Sequence, residues 1–134
     1  MSEDPASIRS VYLSASTARA DELMRCADDL RLAGIEVTCR WPWHIGELDP
    51  ESAAAADLAD LARADTLVSF TQGPGNPHQG RGGRHVELGV ALGRDMGVML
   101  VGPPEHAFHH LAAVRSFPSW ESAFHAITGR PRTA

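Results

Sequence analysis

The segment DTLVSFTQGPGNPHQGRGGRHVELGVALGRDMGVMLVG, residues 65–102, carries one complete crossover unit. Thr66 to Thr71 (TLVSFT) is rich in β-branched and aromatic side chains, which suit a pleated, packed surface. The eleven residues that follow, QGPGNPHQGRG, contain four glycines and two prolines and therefore read as a loop. From about Gly83 to Asp95 apolar residues recur at helical spacing, and Val98 to Val101 (VMLV) is a continuous apolar run that fits a strand buried on both faces. Strand, helix and strand in this order predict two parallel strands joined by a right-handed crossover.

The same alternation continues outward on both sides. Upstream, Ile8 to Ser14 (IRSVYLS) predicts a first strand, and Ser16 or Thr17 can cap the helix after it. Leu23, Ala27, Leu30 and Ala33 keep helical spacing up to Gly34, a stop signal, and Ile35 to Cys39 (IEVTC) predicts the second strand. Asp49-Pro50 starts another helix, for which Ala54, Leu58, Leu61 and Ala62 form the expected buried stripe. Downstream, Val114 to Phe117 predicts a short fifth strand and Trp120 to Thr128 a closing helix that ends at Gly129. The expected fold class is α/β, a single domain over residues 1–134 with a parallel five-stranded sheet and helices on both faces. Ligands of such sheets bind beyond the C-terminal strand ends, which directs attention to Ser14–Thr17, Arg40–His44 and Thr71–Glu87.

Composition narrows the chemistry. The 134 residues are 43% hydrophobic with 20 alanines, and all 12 basic side chains are arginine. With no lysine, neither a Schiff-base enzyme nor a Walker-type ATPase can be built. A net charge of −5 argues against nucleic acid as a partner. Two cysteines, Cys26 and Cys39, are too few for a disulfide framework or a Cys-rich zinc site, which suggests a reducing compartment, the cytoplasm. The opening MSEDPAS has no targeting character, and no apolar run approaches the ~20 residues that cross a bilayer, so no membrane partner is expected.

Candidate chemistry centres on Glu87 in RGGRHVELG. It stands one turn into a helix, where the dipole favours an ionised carboxylate fit to act as a nucleophile. By position alone, complementing that dipole is an equally good reason for a glutamate. Val86 and Val90 are expected to face the sheet, with Glu87 about a quarter turn away. On the preceding helix, Asp57 borders the expected apolar stripe while Asp60 points to solvent, so only Asp57 is placed for partial burial and a raised pKa, although by position alone a solvated helix acid is the more ordinary role. Tyr12 near the end of the first strand is core or a partner for a carboxylate or sugar hydroxyl. Ser14 and Ser16 beyond it offer hydroxyls at a helix start. Trp41 and Trp43 in CRWPWH can stack on a base or pack under a loop, and Trp43 is the one expected to meet the substrate. Gly82, Gly83, Arg84 and His85 form the loop-to-helix junction and are expected to meet the substrate. The glycine-rich loop matches neither a Walker loop nor a dinucleotide fingerprint, and the EHAFHH run of His106, His109 and His110 lacks metal-ligand spacing, so packing is the expected role and no metal or cofactor is foreseen.

Together VYLSAS, DLADLARADTLVSF and GGRHVELGVALGRDMGVMLVG resemble the nucleoside 2-deoxyribosyltransferase-like superfamily, across nearly the whole chain. The resemblance implies a flavodoxin- or Rossmann-like sheet and a glutamate, Glu87 in VELGVAL, that attacks the anomeric carbon of a nucleoside or nucleotide. It implies that Asp57, eight residues before Asp65, protonates or orients the leaving base, and that Tyr12 holds Glu87 in line. An acceptor nucleobase or water would complete turnover. An acid that some transferases carry before the glutamate is replaced in this chain by Arg81. In the related deoxynucleoside monophosphate hydrolases serine and arginine after the first strand bind phosphate, a role open to Ser16 and Arg19, and Arg81 and Arg84 are further anion contacts. A glycohydrolase acting on NAD and a non-catalytic nucleotide-binding module are the alternatives. The resemblance further implies a homo-oligomer, a dimer or higher, for which Phe108, Trp120 and Phe124 are the expected exposed aromatics.

Overall fold

The computed structural model describes residues 7–71 and 82–130; Arg81 and most of the expected glycine-rich loop lie outside them. Five parallel strands, β1 (Ser10–Ser14), β2 (Glu36–Val37), β3 (Thr66–Phe70), β4 (Gly97–Val101) and β5 (Val114–Phe117), form one sheet in the order β2-β1-β3-β4-β5. The helices are α1 (Ala20–Leu32), α2 (Pro50–Ala62), α3 (Gly83–Gly93) and α4 (Trp120–Thr128). The chain first steps outward from β1 to the edge at β2, then turns back past β1 to β3 and onward. With right-handed crossovers that reversal puts α1 on one face and α2 and α3 on the other. The contacts agree: α2 packs on α3, and the Trp120 indole of α4 donates to Asp29 Oδ2 of α1 at 3.0 Å. The reversal opens a crevice between the C-terminal ends of β1 and β3.

All five residues of β1 and of β3 are buried, as central parallel strands should be. Edge strand β2 is shorter than the expected 35–39, because only Glu36 and Val37 pair with β1 before the chain turns toward Cys39 and Arg40. Gly102 ends β4 at φ +112, and a Cβ there would run into the Thr71 hydroxyl, so the close approach of these two strand ends requires glycine. Trp120 and Phe124 are not exposed; they are core, with the Trp120 ring 5.9 Å from Phe70 and 5.8 Å from Phe124. Of the three aromatics expected at the surface, Phe108 alone is there.

Two helix faces differ from expectation for one physical reason. On α2 the buried line runs Ala53, Ala56, Asp57, Asp60, Leu61, while Ala54, Leu58 and Ala62 face out. Asp60, expected in solvent, is 1% exposed. Its carboxylate accepts from the Arg40 backbone N–H at 3.0 Å and pairs with Arg40 at 2.8 Å and Arg63 at 2.9 Å, so its charge is compensated where it is buried. On α3 the buried positions are Arg84, Leu88 and Ala91, while Val86 is 61% exposed and Val90 only partly buried. Arg84 holds an inward position because Glu105 pairs with it at 2.8 Å.

Candidate active site

Glu87 is positioned by the way α3 begins. Gly82 takes a left-handed conformation, φ 97, which turns the chain into the helix, and its carbonyl accepts from the His85 and Val86 amides. One turn later the Glu87 carboxylate lies against β1. The Tyr12 hydroxyl donates to Oε2 and the Ser14 hydroxyl to Oε1, each at 2.6 Å. Both donors share a sheet face because they are two residues apart on one strand. Each side chain is fully buried, so both carboxylate oxygens are held by rigid groups. Bonds this short to a carboxylate are of the strong, charge-assisted kind.

Burial raises the Glu87 carboxyl above the usual range, the Ser14 and Tyr12 hydrogen bonds pull it back down, and the charge of Asp57 pushes it up. The helix end favours the Glu87 anion, burial opposes it, and the two hydroxyls offset that cost in part. Tyr12 is itself driven far above its ordinary range, first by burial and then by the charge of Glu87, so the phenol stays protonated and acts as a donor.

Glu87 opens into a cavity of about 450 Å³. Trp41, Ile45, Leu48, Ala53 and Ala56 give it apolar walls, and Asp57 and Glu87 stand in the same lining. Asp57 is half-buried; burial and the neighbouring Asp60 raise its carboxyl, against the pull of Arg40. The cavity's arginines carry carboxylate partners: Arg40 is bound to Asp60 and Arg84 to Glu105. Apolar walls with a few convergent polar groups are the usual make-up of a small-molecule site.

The remaining expected residues divide. Gly83 and Arg84 line the cavity, and Gly82 shapes the turn before them. His85 contacts His106 and His109 and is not in the cavity wall. Ala15 and Thr17 reach the cavity but Ser16, between them, does not; its buried hydroxyl meets no hydrogen-bond partner among the described residues. Arg19 holds the protein rather than facing the cavity. It forks onto Glu22, lies over the Phe70 ring at 5.3 Å and donates to the Thr71 carbonyl at 2.8 Å. The tryptophan on the cavity is Trp41, locked by its indole N–H to the Leu13 carbonyl at 2.9 Å, while Trp43 packs under Arg31. Ile45, Leu48 and the buried Asp60 were missed by sequence reasoning; two aliphatic side chains in the polar loop HIGELDP were the signal available.

By sequence the chain matches no protein-family model and no curated protein. By structure it is similar to a 2-deoxyribosyltransferase from the psychrotolerant bacterium Bacillus psychrosaccharolyticus, with a TM-score of 0.66 and 16% identity over 86% of this chain and 90% of that one. It is also similar to the CMP N-glycosidase BcmB of Clostridium botulinum, with a TM-score of 0.60 and 19% identity over 91% and 100% of the two chains. A conserved protein from Enterococcus faecalis aligns with a TM-score of 0.62 and 17% identity over 92% and 99%. The five-stranded parallel sheet and its helices thus share the fold of these three structures.

Proposed function

We propose that this chain cleaves or transfers the N-glycosidic bond of a nucleoside or nucleotide, with Glu87 as nucleophile and Asp57 assisting the leaving base. The observation that carries the reading is the pinning of both Glu87 oxygens by Tyr12 and Ser14 at the wall of a cavity that also contains Asp57. The likeness to a 2-deoxyribosyltransferase and a CMP N-glycosidase supports it.

In the first step a Glu87 oxygen forms a bond to the anomeric carbon as the carbon–nitrogen bond breaks. The bonding pair leaves with the base, and the protonated Asp57 carboxyl supplies the base nitrogen with a proton. Its raised pKa suits that task. Each Glu87 oxygen keeps a lone pair beyond the one its hydroxyl donor uses, so attack does not require either bond to break first. In the second step water or a second base attacks the same carbon, gives its proton to Asp57, and releases the Glu87 carboxylate, which Tyr12 and Ser14 stabilise as it regains charge. Two carboxylates divide the work as in retaining glycosidases. No lysine, metal or cofactor is needed.

The same reading makes the chain a single-domain cytoplasmic enzyme; no helix among the described residues is long and apolar enough to cross a membrane, and the buried Cys26 and Cys39 form no disulfide. It also makes it a homo-oligomer, for which exposed Phe108, Leu111 and Val86 offer apolar surface. The test is incubation with a panel of deoxynucleosides, ribonucleosides and their 5′-monophosphates, with and without a free acceptor base, followed by chromatography. Release or exchange of base that disappears in Glu87→Gln supports the proposal. No base release from any substrate at high enzyme concentration would overturn it.

A further inference from the structure

We infer that His85, His106 and His109 form a binding site for a divalent first-row transition-metal ion of the zinc type. The site is independent of the glycosidic reading, since none of the three rings lines the cavity of Glu87.

The three imidazoles arrive from two elements. His85 lies in the first turn of α3, and His106 and His109 flank the start and middle of the short 3-10 turn Ala107–His110. The His85 and His106 rings meet edge-on with centroids 4.7 Å apart, and those of His106 and His109 are 3.8 Å apart. One nitrogen from each ring can be chosen so that all three lie within 4.8 Å of one another. Zinc–imidazole bonds of about 2.0–2.1 Å hold two nitrogens of a tetrahedral site about 3.3 Å apart, so the cluster is close to ligand spacing.

The hydrogen bonding of the cluster is incomplete without an ion. His85 Nδ1 and His106 Nε2 stand 3.0 Å apart and share one proton at most. His106 Nδ1 is buried and has no partner among the described residues. His109 Nδ1 accepts from the Glu105 amide at 2.9 Å. Whether His109 coordinates through Nδ1 or Nε2, that bond is exchanged for the one to the metal, because the ring has a single spare lone pair. An all-imidazole set suits zinc, copper and nickel and is a poor match for magnesium or calcium. His85 is exposed and His109 buried, so the ion would be anchored on one side and keep a solvent position on the other. The third ring stands 21 residues from His106, which explains why EHAFHH alone has no ligand spacing.

The experiment is calorimetric titration of the tag-free protein with zinc chloride near neutral pH, beside thermal melts with and without zinc. The expected result is one ion per chain and a midpoint raised by zinc. His85→Gln and His106→Gln should each weaken binding at least about tenfold, as loss of a ligand must exceed the loss seen for a supporting group. His125→Gln, an exposed ring on α4, should bind as the native chain does. Because His85 is exposed, His85→Gln should keep the zinc-free midpoint, which separates lost coordination from lost folding. No stoichiometric binding, or binding unchanged in His85→Gln, would overturn the inference.

Discussion

Replacing Tyr12 with phenylalanine removes one hydroxyl from a fully buried side chain and with it the 2.6 Å bond to Glu87 Oε2. The ring that fills the core remains, so the cavity left is one oxygen in size and the fold should persist. A hydrogen bond to a charged group contributes about 1.5–3 kcal/mol, and one pKa unit corresponds to about 1.4 kcal/mol. The bond stabilises the ionised form of a carboxyl that burial already raises, so its loss raises that carboxyl further. Activity that needs ionised Glu87 then fails sooner on acidification. The acid limb of kcat/KM should move to higher pH by about one to two units, with the Ser14 bond still in place. Because one Glu87 oxygen is also freed to swing, kcat on the plateau should fall about tenfold to a hundredfold. The assay is base release against pH for the native chain and Tyr12→Phe, with circular dichroism to confirm folding. An acid limb and kcat both unchanged would refute the role given to Tyr12.

Glu87→Gln should abolish turnover yet stabilise the protein at neutral pH. The folded carboxyl is raised above its unfolded value, so the stability it contributes is complete below the ordinary carboxylate range and is lost as pH rises through the folded value. Thermal midpoints of the two proteins should therefore converge in acid and separate above it; a constant gap would contradict this. Asp57→Asn should slow cleavage of ordinary nucleosides far more than of substrates whose leaving group needs no proton, read as the ratio of the two kcat/KM values. Asp60→Ala should lower the thermal midpoint more than Glu51→Ala on the same helix, because Asp60 alone of the two is buried with arginine partners.

The order of strands and helices was legible because the punctuation is local. Gly34, Gly129 and Asp49-Pro50 stop or start helices by backbone chemistry that needs no distant partner, and Asp49 does cap α2 through Ser52. Tyr12 is expected beside Glu87 through the resemblance, whereas Ser14 is expected as a substrate contact at a helix start and instead joins Tyr12 on Glu87, because the two stand two residues apart on β1. Glu87 could be singled out as a candidate from its position after the third strand and a glycine-rich turn, and the resemblance gave it the role of nucleophile. The inward faces of α2 and α3 could not be read the same way. Counting apolar residues favours Leu58 and Val86, whereas the protein buries Asp60 and Arg84 against partners 20 and 21 residues distant, Arg40 and Glu105. Burial of charge depends on such pairings, which periodicity does not contain. The exchange of Trp43 for Trp41 at the cavity has a similar origin, since a 3-10 turn at Trp41–Trp43 sends neighbouring side chains to different surroundings.

The covalent role proposed for Glu87 is tested most directly by trapping. The enzyme is mixed with its preferred nucleoside carrying an electron-withdrawing group at the sugar 2-position, which slows formation and breakdown of an oxocarbenium-like transition state. Acid quenching, proteolysis and mass spectrometry should find one sugar unit on the peptide that contains Glu87, absent from Glu87→Gln. Turnover of the unmodified nucleoside with no such adduct from the analogue, or an adduct on another residue, would contradict Glu87 as the nucleophile.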